Sequence, residues 1–204
     1  MDPTTLLLAA TTYTAALVGR KVANEIADGF WNRAKQSLKK ALGKEPSPTE
    51  LSKEAIAAME PEIQDDLQRL LGASPVLRRA QIVGEALEGS RVLWVDDNPA
   101  GNSWEYACLT ALGCRVRTVE STRTALDCLR IEPYDLVLSD IARAERNDEG
   151  LRSLPAIREA APGVLVIFYI MALKGGVPSG AFGITNHPDE LLHLCMDAME
   201  RKRL

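Results

Sequence analysis

The sequence predicts an α/β protein: a doubly wound, five-stranded parallel sheet preceded by an all-helical N-terminal region. Residues 91–204 alternate short β-branched, apolar runs with amphipathic stretches, and parallel strands need such helical crossovers. Residues 1–88 carry helical periodicity alone. The character changes at Gly89, so two regions, 1–89 and 90–204, are expected.

The helical region opens on TTLLLAATTYTAALVG (4–19), sixteen uncharged residues with five threonines. It falls short of the roughly 20 residues of a membrane span and follows no basic run, which reads against a signal peptide. A helix for a membrane surface or a partner remains open. Leu17, Val18, Val22, Ile26, Phe30, Trp31, Ala34, Leu38 and Leu42 then recur at threes and fours. They predict one long amphipathic helix, closed by Gly43, with Lys39, Lys40 and Lys44 suiting the negative end of its dipole. "SPTE" predicts a new start with Ser47 as cap, Pro48 at the first helical position and Glu50 at the third. Helices are expected over about 61–71, closed by Gly72, and 75–88, closed by Gly89.

In the second region the strands are RVLWV (91–95), RVRTV (115–119), YDLVLSD (134–140), VLVIFYIM (164–171) and AFGIT (181–185). Helices are expected around 102–112, from Ser121 or Thr122 to Arg130, around 151–160, and from Pro188 to about Arg201. The first, third and fourth strands are nearly continuous in apolar residues, as central strands are. Arg115 and Arg117 mark the second as an edge.

Bulk properties narrow the function. Over 204 residues, 46% hydrophobic and 25% charged content is ordinary for a soluble globular protein, and a net charge of −4 gives no reason to expect nucleic acid as a partner. Cys108, Cys114, Cys128 and Cys195 form no CxxC and fall inside apolar patterns, as reduced core thiols of a cytoplasmic protein do. Residues 1–44 hold seven Lys/Arg against three Asp/Glu, and residues 45–89 four against nine. Two antiparallel helical segments that neutralise each other explain this split. A basic helix that docks on an anionic membrane, masked at rest by the acidic segment, explains it too, and a self-association surface is a third reading.

The chemistry concentrates where the strands end. Asp96 and Asp97 close the first strand, and Asp140 closes the third. In an open parallel sheet, ligands gather at the carboxyl ends of such strands. Three anions at one place are tolerable when a hard dication joins them or when some of their pKa values rise. Oxygen donors without His or Cys favour Mg²⁺ or Mn²⁺ over zinc.

The run VLWVDDNP, then LTALGCRVRTVESTRTALDCLRIEPYDLVLSDI and GAFGITNHP, resembles the receiver domain of two-component response regulators over about residues 91–199. The resemblance implies a flavodoxin-like strand order, 2-1-3-4-5. It implies Asp140 as phosphoacceptor, with Mg²⁺ held by Asp96, Asp97, Asp140 and the backbone carbonyl of Ala142. It further implies a signalling module rather than an enzyme, with a histidine kinase or other signalling protein as partner. Two family positions differ. The Thr or Ser expected after the fourth strand is replaced by Ile170 or Met171, and the Lys before the last Pro by His187. Thr185, His187 or an arginine of the long 141–155 loop (Arg143, Arg146 or Arg152) could stand in as phosphate contacts. The segment ALKGGVPS (172–179) leaves little room for a helix. Three functions therefore stay open: a phosphorylated signalling module whose N-terminal helices act as effector or homodimer contact, a pseudo-receiver that only binds proteins, and a membrane-active helical effector gated by the receiver-like part.

Overall fold

The computed structural model describes residues 3–19, 25–143, 146–172 and 175–203. By compactness the chain divides into two units. One comprises residues 1–85, 102–113 and 187–189; the other comprises 86–101, 114–186 and 190–204. The segment 102–113 groups with the N-terminal helices.

The helical unit contains α1 (Pro3–Gly19), α2 (Glu25–Leu42), α3 (Lys53–Ala57), α4 (Pro61–Ala73), most of α5 (Pro75–Leu87) and α6 (Ser103–Ala111). The uncharged stretch becomes α1, and its residues from Ala9 to Ala16 are all buried. A helix without a polar face belongs inside a protein. Its threonines adapt to burial by bonding back along the helix: Thr11 Oγ1 donates to Leu7 O (2.9 Å) and Thr14 Oγ1 to Ala10 O (2.8 Å). The alanines let α6 pack close, where the Cys108 thiol meets Ala9 O at 3.9 Å. Trp31 of α2 and Trp104 of α6 meet edge to face at 5.1 Å. The stretch for which the sequence leaves a membrane-surface or partner helix open thus holds the interior of the helical unit.

The single long helix expected from Leu17 to Leu42 is assigned as α1 and α2; residues 20–24, with Val22, lie outside the described residues. Of the expected stripe, Trp31, Ala34 and Leu38 are buried. Gly43 ends α2 as expected, with φ 73° and its N–H on Lys39 O at 2.8 Å. The start expected at Ser47 is corrected. Pro48–Glu50 form only a 3₁₀ turn, and Ser47 makes no cap but meets Thr49 Oγ1. The cap is Ser52, whose hydroxyl accepts from Ala55 N and opens α3. Basic α2 pairs with acidic neighbours through Arg33–Asp66 (2.6 Å), Lys40–Glu60 (2.9 Å) and Lys39–Glu45 (3.0 Å), matching the neutralising reading of the charge split.

In the second unit the sheet is parallel, in the order β2-β1-β3-β4-β5, with β1 (Arg91–Val95), β2 (Arg115–Val119), β3 (Leu136–Ser139), β4 (Leu165–Tyr169) and β5 (Gly183–Thr185). The edge position of β2 and the central place of β1, β3 and β4, which are nearly continuous in apolar residues, follow from composition as expected. Alternate strand residues Leu93, Val95, Val137, Val166 and Phe168 form one buried core with Ala125 and Leu129 of α7 (Thr122–Ile131) and Leu154 and Ile157 of α8 (Glu149–Ala160). Ser121 caps α7, accepting from Thr124 N. On the other face Trp94 meets Tyr169 edge to face at 6.0 Å. The chain closes with α9 (Pro188–Arg203). Among the described residues no helix lies between β4 and β5. All four cysteines are free and buried, and no helix of the described residues is long and apolar enough to cross a membrane.

Candidate acidic site at the strand ends

The sheet ladder brings the three aspartates together. Asp140 N donates to Val95 O (3.0 Å) and Asp96 N to Val119 O (2.9 Å), so the ends of β1 and β3 lie side by side. Asp96 is 5% exposed, and its Oδ1 accepts from Asn98 N at 2.7 Å, which turns the chain after the strand. Asp97 is exposed and Asp140 half-buried. One carboxylate oxygen from each falls within 4.8 Å of the others. Like charges at that separation disfavour ionisation. Burial, then Asp96 and Asp97, push the Asp140 carboxyl up from its ordinary value, against the Ile141 and Ala142 amides that favour its anion. A donor set of three carboxylate oxygens, open to solvent through Asp97, fits a hard dication such as Mg²⁺ or Mn²⁺. Such an ion would offset the mutual repulsion that the bare site carries.

The chain after Asp140 is held by close packing. Gly150 N donates to Ile141 O at 2.9 Å, and a Cβ at Gly150 would stand 2.3 Å from Asp140 O and 2.8 Å from Ile141 Cα. Only glycine admits α8 so near the Asp140 backbone. Arg143 and Arg146 form an isolated antiparallel bridge across the loop.

The expected phosphate contacts fall in different places. Arg143 is 3% exposed, whereas Arg146 and Arg152 are exposed. Its guanidinium donates from one nitrogen to Ser139 Oγ (2.5 Å) and Asp140 O (2.7 Å), and from the other to Thr122 Oγ1 (3.0 Å) and Ser153 Oγ (3.2 Å). Thr185 is fully buried, and its hydroxyl donates to Glu190 at 2.5 Å. Ile170 is buried, Met171 is 81% exposed, and His187 is exposed and groups with the helical unit. Sequence reasoning missed Gly150, Ser139, Thr122 and Ser153. Only the glycine at a loop-to-helix junction offered a local signal.

No family model matches the chain. A sensor histidine kinase, GacS, of Pseudomonas protegens is 35% identical over 96 residues, which are 46% of this chain and 10% of that protein. The chain therefore spans about a tenth of the length of that curated relative. Among solved structures, the anti-anti-sigma factor PhyR of Bartonella quintana aligns with a TM-score of 0.51 at 16% identity, covering 98% of this chain and 92% of that one. The response regulator PhyR of Brucella abortus aligns with a TM-score of 0.50, again at 16% identity, covering 99% and 93%. The strand-ordered unit has the fold of a response-regulator receiver domain. The two PhyR likenesses extend over the N-terminal helices as well.

Proposed function

We propose that this protein is an atypical receiver of phosphorelay-type signalling, in which Asp96, Asp97, Asp140 and the Ala142 carbonyl hold Mg²⁺ and Asp140 accepts a phosphoryl group. The convergence of three carboxylates from two strand ends carries the reading. Phosphoryl transfer is mostly positioning and charge neutralisation. An Asp140 carboxylate oxygen forms the new bond to phosphorus, the donor's bond to phosphorus breaks, and the leaving group departs with that electron pair. Bound Mg²⁺ would supply positive charge to the carboxylates and the phosphoryl oxygens. The whole-chain likeness to proteins described as an anti-anti-sigma factor and a response regulator supports the helical unit as the output that engages a signalling protein or a second copy. A histidine kinase is the expected donor.

A pseudo-receiver reading draws on the other end of the sheet, where Ile170 offers no hydroxyl and Thr185 is bonded to Glu190. One experiment separates the two. The chain is incubated with acetyl phosphate and Mg²⁺ and weighed intact. One added phosphate on wild type, absent in Asp140→Asn, supports the acceptor; no added phosphate leaves the pseudo-receiver.

A further inference from the structure

We propose that Arg143 is a positioning residue for phosphoryl transfer to Asp140, a buried cation that fixes the acceptor's backbone. The proposal rests on Asp140 being the acceptor.

A guanidinium is seldom buried without a carboxylate against it. Among the described residues Arg143 forms no ion pair within 4.0 Å; its four hydrogen bonds go to three hydroxyls and one carbonyl. Its Nε has no partner at all. One of the four bonds, to Asp140 O at 2.7 Å, sets the cation directly against the backbone of the acidic site.

The hydroxyls are ordered by this cation. Each accepts from Arg143 and passes its own proton onward: Ser139 to Asp140 O (2.9 Å), Ser153 to Gly150 O (2.9 Å) and Thr122 to Glu149 (2.9 Å). Asp140 O therefore receives both Ser139 and Arg143, which sets the peptide plane from which the Asp140 side chain leaves. The same side chain ties that carbonyl to the first turn of α7 through Thr122 and to α8 through Ser153. A passive structural pin would also order the loop, but its charge would not matter.

The test uses the full chain as wild type, Arg143→Lys, Arg143→Gln and Ser153→Ala. Two quantities are read: the rate of phosphate incorporation from acetyl phosphate at saturating Mg²⁺, and the Mg²⁺ half-saturation by calorimetry without donor. Arg143→Gln should slow incorporation about tenfold, the cost of a misplaced reacting group with lost charge, yet tighten Mg²⁺ about twofold to threefold because a cation beside the carboxylates is gone. Arg143→Lys should keep wild-type Mg²⁺ affinity and recover part of the rate. Parallel loss of rate and Mg²⁺ binding, with Lys no better than Gln, overturns the proposal in favour of a structural pin, and so does an unchanged rate in Gln. If circular dichroism shows Arg143→Gln unfolded, Ser153→Ala decides. That variant keeps the charge and should slow incorporation about threefold with Mg²⁺ affinity unaltered, whereas an unchanged rate overturns the idea. Wild type that binds Mg²⁺ but takes no phosphate overturns the acceptor reading itself, before any variant is compared, and this proposal with it.

Discussion

At the carboxyl ends of β1 and β3 the chain sets Asp96, Asp97 and Asp140 within 4.8 Å; at the carboxyl ends of β4 and β5 of the same sheet it sets Ile170, exposed Met171 and a Thr185 bonded to Glu190. Both ends are built by the same parallel ladder, so the difference lies in side chains rather than in backbone. The acidic end keeps three like charges together despite the electrostatic cost and is buttressed by a buried arginine. At the other end the Thr185 hydroxyl is satisfied locally by Glu190.

The sharpest way to break the acidic end is through its packing. In Gly150→Ala the new methyl meets Asp140 O and Ile141 Cα, both backbone atoms that cannot rotate away. A loss of about 3 kcal/mol in urea unfolding is expected, at the upper end for overpacked sites. Mg²⁺ binding should weaken with it. A loss under about 1 kcal/mol would mean that the Asp140 loop shifts freely and that the acidic end is less rigidly built than the contrast requires.

Much of this was legible in the sequence, because hydrophobic period and strand-end acids are local signals. The uninterrupted apolar runs placed β1, β3 and β4 centrally, Arg115 and Arg117 placed β2 at the edge, and the aspartates followed from the topology. The failures share a cause: burial decided by distant partners. An arginine in a charged loop reads as solvated, but Thr122 and Ser153, far along the chain, draw Arg143 inside. The uncharged stretch of α1 leaves a membrane or partner surface open in the sequence, yet its threonine hydroxyls are satisfied within the helix and the stretch is buried. Ser47 and Ser52 both precede an acid and a helical pattern, and only the backbone decides which one caps.

A second prediction weighs the charge at the acidic end without its cation. The Asp140 carboxyl is raised above its ordinary value, chiefly by burial and then by Asp96. A group raised in this way is stabilising when protonated, and that contribution is lost as pH rises through its folded-state value. Asp140→Asn should therefore raise the melting midpoint in EDTA at pH 7.5 by about 2–4 °C, the shift produced by roughly 1 kcal/mol in a chain of this size. The advantage should shrink as pH falls through the raised folded-state value and be gone below the usual aspartate range, where Asp140 is neutral in folded and unfolded chain alike. Saturating Mg²⁺ should reverse the order, because only the intact trio gains stability from the ion. A variant no more stable than wild type in EDTA would mean that solvent already screens the three charges.

The smallest effect is expected at the β4–β5 end, and it bears most directly on the contrast. The Thr185 hydroxyl donates to Glu190, a carboxylate exposed enough for water to replace the lost donor. Thr185→Val keeps the shape of the buried side chain and should cost about 1 kcal/mol or less in urea unfolding. Mg²⁺ half-saturation and phosphate incorporation should both match wild type. Were incorporation to fall about tenfold with Mg²⁺ binding intact, Thr185 would have to leave Glu190 during transfer and act on the phosphoryl group. The β4–β5 end would then be a second working half of the site, with Glu190 as the place where its hydroxyl rests between turnovers.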